Sequence, residues 1–311
     1  MLLIGGVMGR LRYQAAMTLA VAVGVGGVAL ASLTGPAPAG AATARSASSV
    51  DTQRAAAATR SAVCTSARHP KLAARIARGI TAALADRKDS VVGLAATDAA
   101  EDLHCTLRQG LHFYAASVIK VTIISALLLK KGGPAHLTTA QHNLAYAMIT
   151  QSNDNAATTL WNETGTAAMR RFLDKARMSH TILNAAWGLT QITAQDELTL
   201  LKLLSVKGTV LSNSSRGYVL WLMSKVIASQ RWGTPAGVPS SLTVHVKNGW
   251  LPYPKADDWH INSLGIFTGK DTDYQIVVLT GPPAAGGQGE SYGITTVQDA
   301  ARVINRDLAH A

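Results

Sequence analysis

The order of two hydrophobic patterns along the chain constrains the fold most strongly. Strand-like runs come first, helical apolar spacing fills the middle from Ser117 to about Leu222, and strand-like runs return afterwards. Strands at both chain ends can pair only if the helices form an insertion. The sequence therefore predicts an α+β fold. In this predicted fold, one antiparallel sheet is flanked by N- and C-terminal helices and carries an inserted all-helical subdomain.

Boundaries for these elements follow from the spacing of apolar residues and from helix-breaking residues. The predicted strands are Val91–Ala96, Leu103–Leu107, Leu242–Lys247, His260–Phe267 and Tyr274–Thr280. The predicted helices are Lys71–Asp86, Ser117–Lys131, Thr138–Ile149, Asn155–Asn162, Thr166–Ala176, 194–206, Asn213–Gln230 and Thr296–Leu308.

The N-terminus has the pattern of a secretory signal peptide. Arg10 and Arg12 precede an apolar run over Ala15–Leu33, and small residues over Ala39–Ala44 offer cleavage sites. We therefore predict a signal peptide at 1–44 and a secreted, extracellular protein. The run is near the length of a membrane span, so an uncleaved anchor is the alternative.

The rest of the chain divides into a short linker and one domain. Residues 45–63 lack apolar periodicity and are predicted to be a flexible linker before a domain at 64–311. The two cysteines of the chain, Cys64 and Cys105, both follow the cleavage region, and an exported pair is predicted to form a disulfide. Two separate buried thiols are the alternative.

Composition limits the partners. The formal net charge of +11 would draw the protein to an anionic cell wall, although a basic composition without a partner is the alternative. Aromatic residues make up only 5% of the chain, which argues against a base-stacking nucleic-acid surface. No CxxC, HExxH or Cys/His cluster occurs, so the sequence predicts no metal and no cofactor.

Ser117 and Lys120 stand three residues apart at the start of an apolar helix. Such residues are neighbours on one helix face. A serine hydroxyl is a weak nucleophile unless a base takes its proton, and a desolvated lysine can be neutral enough to do so. For the pair alone, a helix-capping serine with a snorkelling lysine is the favoured explanation.

Two further polar motifs follow in the chain. Ser152-Asn153-Asp154 falls at a predicted break between helices, and Lys247-Asn248-Gly249-Trp250 at the end of a predicted strand. Glycine at that strand edge would let backbone approach a bound carbonyl closely. The N–H groups of Trp250 and Ser117 would then form an oxyanion hole.

In this order the three motifs resemble those of penicillin-binding proteins and class A β-lactamases. The resemblance covers roughly 64–309 and implies that a β-lactam or peptide carbonyl acylates Ser117. It further implies that Lys120 accepts the serine proton, that Ser152 relays a proton to the leaving nitrogen, and that Lys247 provides positive charge for a substrate carboxylate.

Two departures from the family pattern change the charge of the cleft. Asn153 and Asp154 stand in the reverse of the family order, and an ionised aspartate cannot donate a hydrogen bond to a substrate carbonyl. Asp154 is expected to pair with Lys120 or Lys247. Asn248 replaces a hydroxyl residue, and its amide is expected to donate to the substrate carboxylate.

A third departure concerns release of the acyl group. Class A enzymes hold a deacylating glutamate in the segment that corresponds to Met178–Ile192, and this chain has no acid there. Asp174 and Asp196 are the nearest acids, and Asp196 is expected to help Thr193 cap a helix. Deacylation is therefore predicted to be slow.

The expected protein is a monomeric serine hydrolase that acts on a small β-lactam or peptidoglycan-like acyl substrate. A catalytically retired module that binds wall fragments or a protein partner is the alternative from another class. An unrelated Ser-His-Asp hydrolase is disfavoured, because the chain has no GxSxG elbow.

Overall fold

Elements from both ends of the described chain belong to one antiparallel sheet and to the helices that cover it. The computed structural model describes residues 61–208, 210–252, 259–270, 272–281 and 289–309. The predicted signal peptide at 1–44 and nearly all of the linker predicted at 45–63 lie outside the described residues. Within this part of the chain, no helix is both long and apolar enough to span a membrane.

Six strands form the main sheet, and all neighbouring pairs are antiparallel. The order across the sheet is β1-β3-β2-β8-β7-β6, so strands from the two chain ends meet where β2 pairs with β8. A second sheet pairs only β4 with β5. The strands are β1 Val63–Thr65, β2 Val91–Asp98, β3 Leu103–Leu107, β4 Phe113–Tyr114, β5 Gln191–Ile192, β6 Thr243–Pro252, β7 Trp259–Gly269 and β8 Thr272–Gly281.

In the described part of the chain, eight α-helices cover this sheet and build the inserted subdomain. Helices α1 and α8 pack together, and α8 also covers β7 and β8, while α6 packs on β8 and β2. Residues 260–267 of β7 are continuously buried, as expected for a strand covered on both faces. The helices are α1 Pro70–Ala83, α2 Ile119–Lys131, α3 Thr139–Thr150, α4 Asp154–Thr164, α5 Thr166–Ala176, α6 Ala194–Ser205, α7 Asn213–Ser224 and α8 Gly289–Leu308. The predicted α+β architecture is confirmed.

Helix α2 is the central helix of the inserted subdomain. Every residue from Ile119 to Leu128 is buried, which explains why its sequence is apolar on all sides. Gly132 ends the helix in the left-handed conformation, at φ 83°. The predicted helix began at Ser117, but a 3₁₀ turn over Ala116–Val118 precedes the α-helix.

Several predicted boundaries differ from the observed ones. Helix α7 ends at Ser224 rather than Gln230, because the extended residue Ile227 donates its N–H to the Thr150 carbonyl at 3.0 Å. Strand β6 continues to Pro252, so the third motif lies inside a paired strand and not at its end. The strand β1, which was not predicted, is held by the disulfide between Cys64 and Cys105, whose residues are paired in register with β3.

Candidate active site

Ser117 lies in the middle of the 3₁₀ turn that leads into helix α2, and it is partly exposed. The turn begins with Ala116, which has a positive φ of 48° that non-glycine residues rarely adopt. Tertiary hydrogen bonds keep this conformation in place. Thr190 accepts from the Ala115 N–H at 2.8 Å, and the Asn262 amide donates to the Ala115 carbonyl at 3.1 Å.

Gly249 of β6 brings the third motif against this turn. A Cβ at Gly249 would lie 2.7 Å from the Ser117 nitrogen and 2.8 Å from the Val118 nitrogen, closer than real Cβ contacts. Only a glycine therefore fits between the strand and the turn. The close approach at this glycine was expected to be to a bound carbonyl, whereas in the structure it is to the backbone that carries the serine.

Lys120 lies one helical turn after the serine, and its side chain is fully buried. Its Nζ atom lies 2.8 Å from Ser117 Oγ, 3.1 Å from Ser152 Oγ and 2.7 Å from the Ser152 carbonyl oxygen. The carboxylate of Asp154 is the fourth neighbour, with Oδ1 at 2.6 Å. The amine therefore touches both hydroxyls of the site.

Ser152 joins the two lysines. The residue has a left-handed backbone, at φ 57°, in the connection between α3 and α4. Its Oγ lies 2.9 Å from the Nζ of Lys247, which in turn donates to the Asn248 carbonyl at 2.7 Å. The predicted set Ser117, Lys120, Ser152 and Lys247 thus forms one continuous chain of hydrogen bonds.

Asn153 and Asp154 have different roles: Asn153 caps a helix, whereas Asp154 pairs with a lysine of the site. Asn153 is the N-cap of α4, and its side chain accepts a hydrogen bond from the Ala156 N–H at 2.8 Å. Asp154 is the first helical residue, 72% exposed, and pairs with Lys120. Of the two partners expected for Asp154, the structure selects Lys120.

Burial and charge act differently on the two lysines. Burial lowers the pKa of Lys120, and the Asp154 carboxylate opposes this effect. Burial lowers the pKa of Lys247 well below its ordinary value, and the positive charge of Lys120 lowers it further. Asp154 raises the pKa of Lys247 only as the weakest of these three causes.

Asn248 does not face the cleft as the sequence suggested. Its amide donates to the Gln230 carbonyl at 2.8 Å and to the Trp232 carbonyl at 2.9 Å, and the residue is buried. Both amide hydrogens are used, so none remains for a substrate carboxylate. Trp250 is partly exposed, with its ring centroid 5.9 Å from that of Trp232.

Trp187 is a site residue that the sequence reasoning missed. Its ring centroid lies 4.9 Å from Lys120 Nζ, within range of a cation–π interaction, and its Nε1 donates to Thr158 Oγ1 at 3.1 Å. The residue belongs to the segment 178–192 that lacks an acid. A single tryptophan in a non-periodic segment carries no local signal of such a contact.

The two acids nearest this segment do not reach the cluster. The Asp196 carboxylate accepts from the His180 N–H at 2.9 Å and the Thr181 hydroxyl at 2.8 Å. It thereby holds the 178–192 segment, whereas Thr193 caps α6 as predicted, by accepting from the Asp196 N–H. Asp174 lies on α5, outside the hydrogen-bonded cluster of Ser117, Lys120, Ser152 and Lys247. Among the described residues, no group of three or more His, Cys, Asp or Glu could hold a metal ion.

Comparisons with known proteins identify a family and several similar folds. The model of the beta-lactamase enzyme family matches residues 129–308, which include Ser152 and Lys247. No curated protein sequence matches the chain. A class A beta-lactamase from Bacteroides cellulosilyticus DSM 14838 is a similar structure, with a TM-score of 0.65 at 15% identity, covering 77% of this chain and 99% of that one.

Two structures of the protein PBP-A are also similar. The first has a TM-score of 0.64 at 17% identity and covers 76% of this chain and 96% of that one. The second, a variant in an acyl-enzyme complex with penicillin G, has the same score and identity and covers 76% and 97%. At these identities the likeness is one of fold, whereas the family match spans more than half of the chain. This chain therefore belongs to the beta-lactamase enzyme family.

Proposed function

We propose that this protein is a secreted serine hydrolase that is acylated at Ser117 by β-lactams or by related acyl and D-amino-acid peptide substrates. One observation carries the proposal. The Ser117 hydroxyl lies 2.8 Å from a fully buried amine that belongs to a chain of two lysines and a second serine. Burial lowers the pKa of both lysines, and a weak nucleophile requires a neutral amine within such a cluster as its base.

The residues of the cluster divide the acylation step among them. As Ser117 Oγ attacks the carbonyl carbon, its proton leaves through Lys120, its hydrogen-bond partner. The N–H groups of Ser117 and Trp250 stabilise the negative oxygen, because the strand and the turn are pressed together at Gly249. Ser152 then donates a proton to the departing nitrogen, and the carbon–nitrogen bond breaks.

Deacylation is proposed to be slow. The segment 178–192 presents the Trp187 ring to Lys120, and no carboxylate of that segment lies at the cluster. Asp154 is the one acid among the described residues that bonds to the cluster, and Lys120 engages it. Without a base for the hydrolytic water, the acyl-enzyme is expected to accumulate. The acyl-enzyme complex of the similar PBP-A variant with penicillin G supports only the preceding step, acylation by a β-lactam.

Export belongs to the same proposal. The signal-peptide pattern at 1–44 directs the chain to an oxidising compartment, and the disulfide between Cys64 and Cys105 fits that environment. The net charge of +11 supports association with an anionic cell wall.

Mass spectrometry of the intact protein after exposure to benzylpenicillin tests the proposal. The wild type should gain one penicilloyl group that persists for many minutes, and Ser117→Ala should gain none. Ser214→Ala, which removes an exposed serine of α7, is the matched control and should react as the wild type does. An unmodified wild type, or an adduct that Ser117→Ala retains, would contradict the proposal.

A binding module without catalysis is the second candidate. The bonding of Asn248 to backbone carbonyls favours it, because the cleft then lacks an amide donor for a substrate carboxylate. Binding of wall fragments by Ser117→Ala, together with no adduct or turnover in the wild type, would establish this role.

A further inference from the structure

The two lysines of the cluster are not equivalent, and the difference depends on residues outside the three motifs. Lys120 has a carboxylate oxygen of Asp154 at 2.6 Å and the face of the Trp187 ring at 4.9 Å. Both neighbours favour the positively charged form of the amine. Water screens the exposed side of Asp154, but the amine that it contacts is fully buried.

Lys247 has neither kind of neighbour. Its amine is equally buried, and it donates hydrogen bonds to the Ser152 hydroxyl and the Asn248 carbonyl, which are both uncharged. The charged groups that act on it are Lys120 of α2, which disfavours a second positive charge, and more weakly Asp154 of α4. Burial and the neighbouring cation therefore both favour a neutral Lys247.

We infer that the proton removed from Ser117 comes to rest on Lys247, with Lys120 and Ser152 as the relays between them. This inference rests on the proposed function and specifies its proton path. The relay atoms are in place, with Lys120 Nζ 3.1 Å and Lys247 Nζ 2.9 Å from the same Ser152 oxygen. These hydrogen bonds connect Ser117 to Lys247 without a gap, so no further group is needed to carry the proton.

The relay balances at each step. As the bond from Ser117 Oγ to the substrate carbon forms, the Ser117 proton passes to Lys120 while Lys120 gives one of its own to Ser152. Ser152 gives its hydroxyl proton to Lys247, which becomes an ammonium group. Lys120 remains an ammonium group throughout, because it gains one proton as it gives one away. When the carbon–nitrogen bond breaks, Ser152 protonates the leaving nitrogen and recovers a proton from Lys247.

A carboxylate-free probe isolates the first half of this path. A neutral alkyl fluorophosphonate forms an oxygen–phosphorus bond to Ser117 and releases fluoride, so it needs a proton acceptor but neither a carboxylate site nor a donor to nitrogen. Labelling rates would be measured by intact mass for the wild type, Asp154→Asn, Lys247→Met and the double variant. Lys202→Met, which removes a half-buried lysine of α6, is the matched control.

The double-variant comparison has a distinct expected result. Lys247→Met should slow labelling by about 100-fold in the wild type, because the acceptor is lost. In the Asp154→Asn background the same change should cost less than about 10-fold, because Lys120 without its carboxylate becomes a neutral amine and accepts the proton itself. Equal losses in the two backgrounds, or no loss in the wild type, would overturn the relay.

Protonation of the lysines gives a second measurement that does not depend on a folded Lys247 variant. Carbon-13 NMR of lysine Cε atoms, assigned through Lys120→Arg, should show that Lys247 loses its proton at a lower pH than Lys120. The reverse order would contradict the inference. Labelling by fluorophosphonate without a benzylpenicillin adduct would refute only the proposed substrate class, and labelling by neither would refute both.

Discussion

Substitution of Gly249 by alanine tests whether the fit between strand β6 and the serine turn is required for reaction. The added Cβ would lie 2.7 Å from the Ser117 nitrogen, whereas ordinary contacts begin at 3.4 Å, so strand and turn must separate by about 0.7 Å. The added Cβ is fixed rigidly to the strand and collides with backbone atoms of the turn. No flexible side chain can move away to relieve the clash.

The displacement should affect both stability and rate. Overpacking of this kind costs about 1–3 kcal/mol, and each kcal/mol lowers the Tm of a domain of this size by about 2–4 °C. A misplacement near 1 Å at reacting groups costs about 100-fold in rate, so we expect acylation by benzylpenicillin to slow by about 10- to 100-fold. Intact mass measured over time gives the rate, and calorimetry gives the Tm.

Gly217 offers the matched control. It lies in helix α7, is exposed, and has no atom within 4 Å of the position that a Cβ would take. Gly217→Ala should raise the Tm slightly, because alanine favours a helix, and should leave the acylation rate unchanged. If Gly249→Ala reacts at the wild-type rate with an unchanged Tm, the reasoning about the fit is wrong.

Three further predictions concern the disulfide, a buried acid and deacylation. Replacing Cys64 and Cys105 by serine should lower the free energy of unfolding by about 4 kcal/mol, measured by urea denaturation, and an unchanged midpoint would contradict this. Burial raises the pKa of Glu197 from 4.5 to about 8, so the folded state binds its proton more tightly and stability should fall as pH rises across that interval. Glu197→Gln should flatten this dependence in thermal denaturation between pH 4.5 and pH 8, and a slope equal to that of the wild type would refute the assignment. Trp187→Glu should shorten the lifetime of the penicilloyl adduct by about 10- to 100-fold in intact mass, because it places a base beside the cluster. Trp187→Gln provides similar space without a base, so an equal effect in both variants would rule out base catalysis.

Local sequence patterns were sufficient for the architecture, whereas the residues of the cluster were predicted from the resemblance of three motifs to a known family. The apolar run that begins at Ile119 predicts a buried helix, because an all-round hydrophobic pattern can only be covered by protein. The prediction failed where polar residues are buried by tertiary contacts. Strand β6 continues past Lys247 because the amine and the Asn248 side chain find partners on other elements, which period-two alternation cannot show.

The remaining features of the site depend on contacts between distant segments. Trp187 reaches Lys120 only because the 178–192 segment folds over the helix start, where Ala115 donates to the Thr190 carbonyl. Asn248 was expected to face the cleft, and the backbone carbonyls that capture its amide lie in a connection whose position no local pattern predicts. The sequence identifies which groups can react, but tertiary packing decides which of them face each other.

The reversal of Asn153 and Asp154 changes the electrostatics of the cluster without a cost to the fold. Asparagine and aspartate are about equally good N-caps, so either order can begin helix α4. The order found here places the carboxylate at the first helical position, where the helix dipole stabilises a negative charge, beside Lys120. In the proposed relay, the charges of Lys120 and Asp154 cancel at rest and Lys247 is neutral. When Ser117 attacks, the positive charge that arrives on Lys247 appears together with the negative charge on the substrate oxygen, so the buried site carries no net charge at either stage.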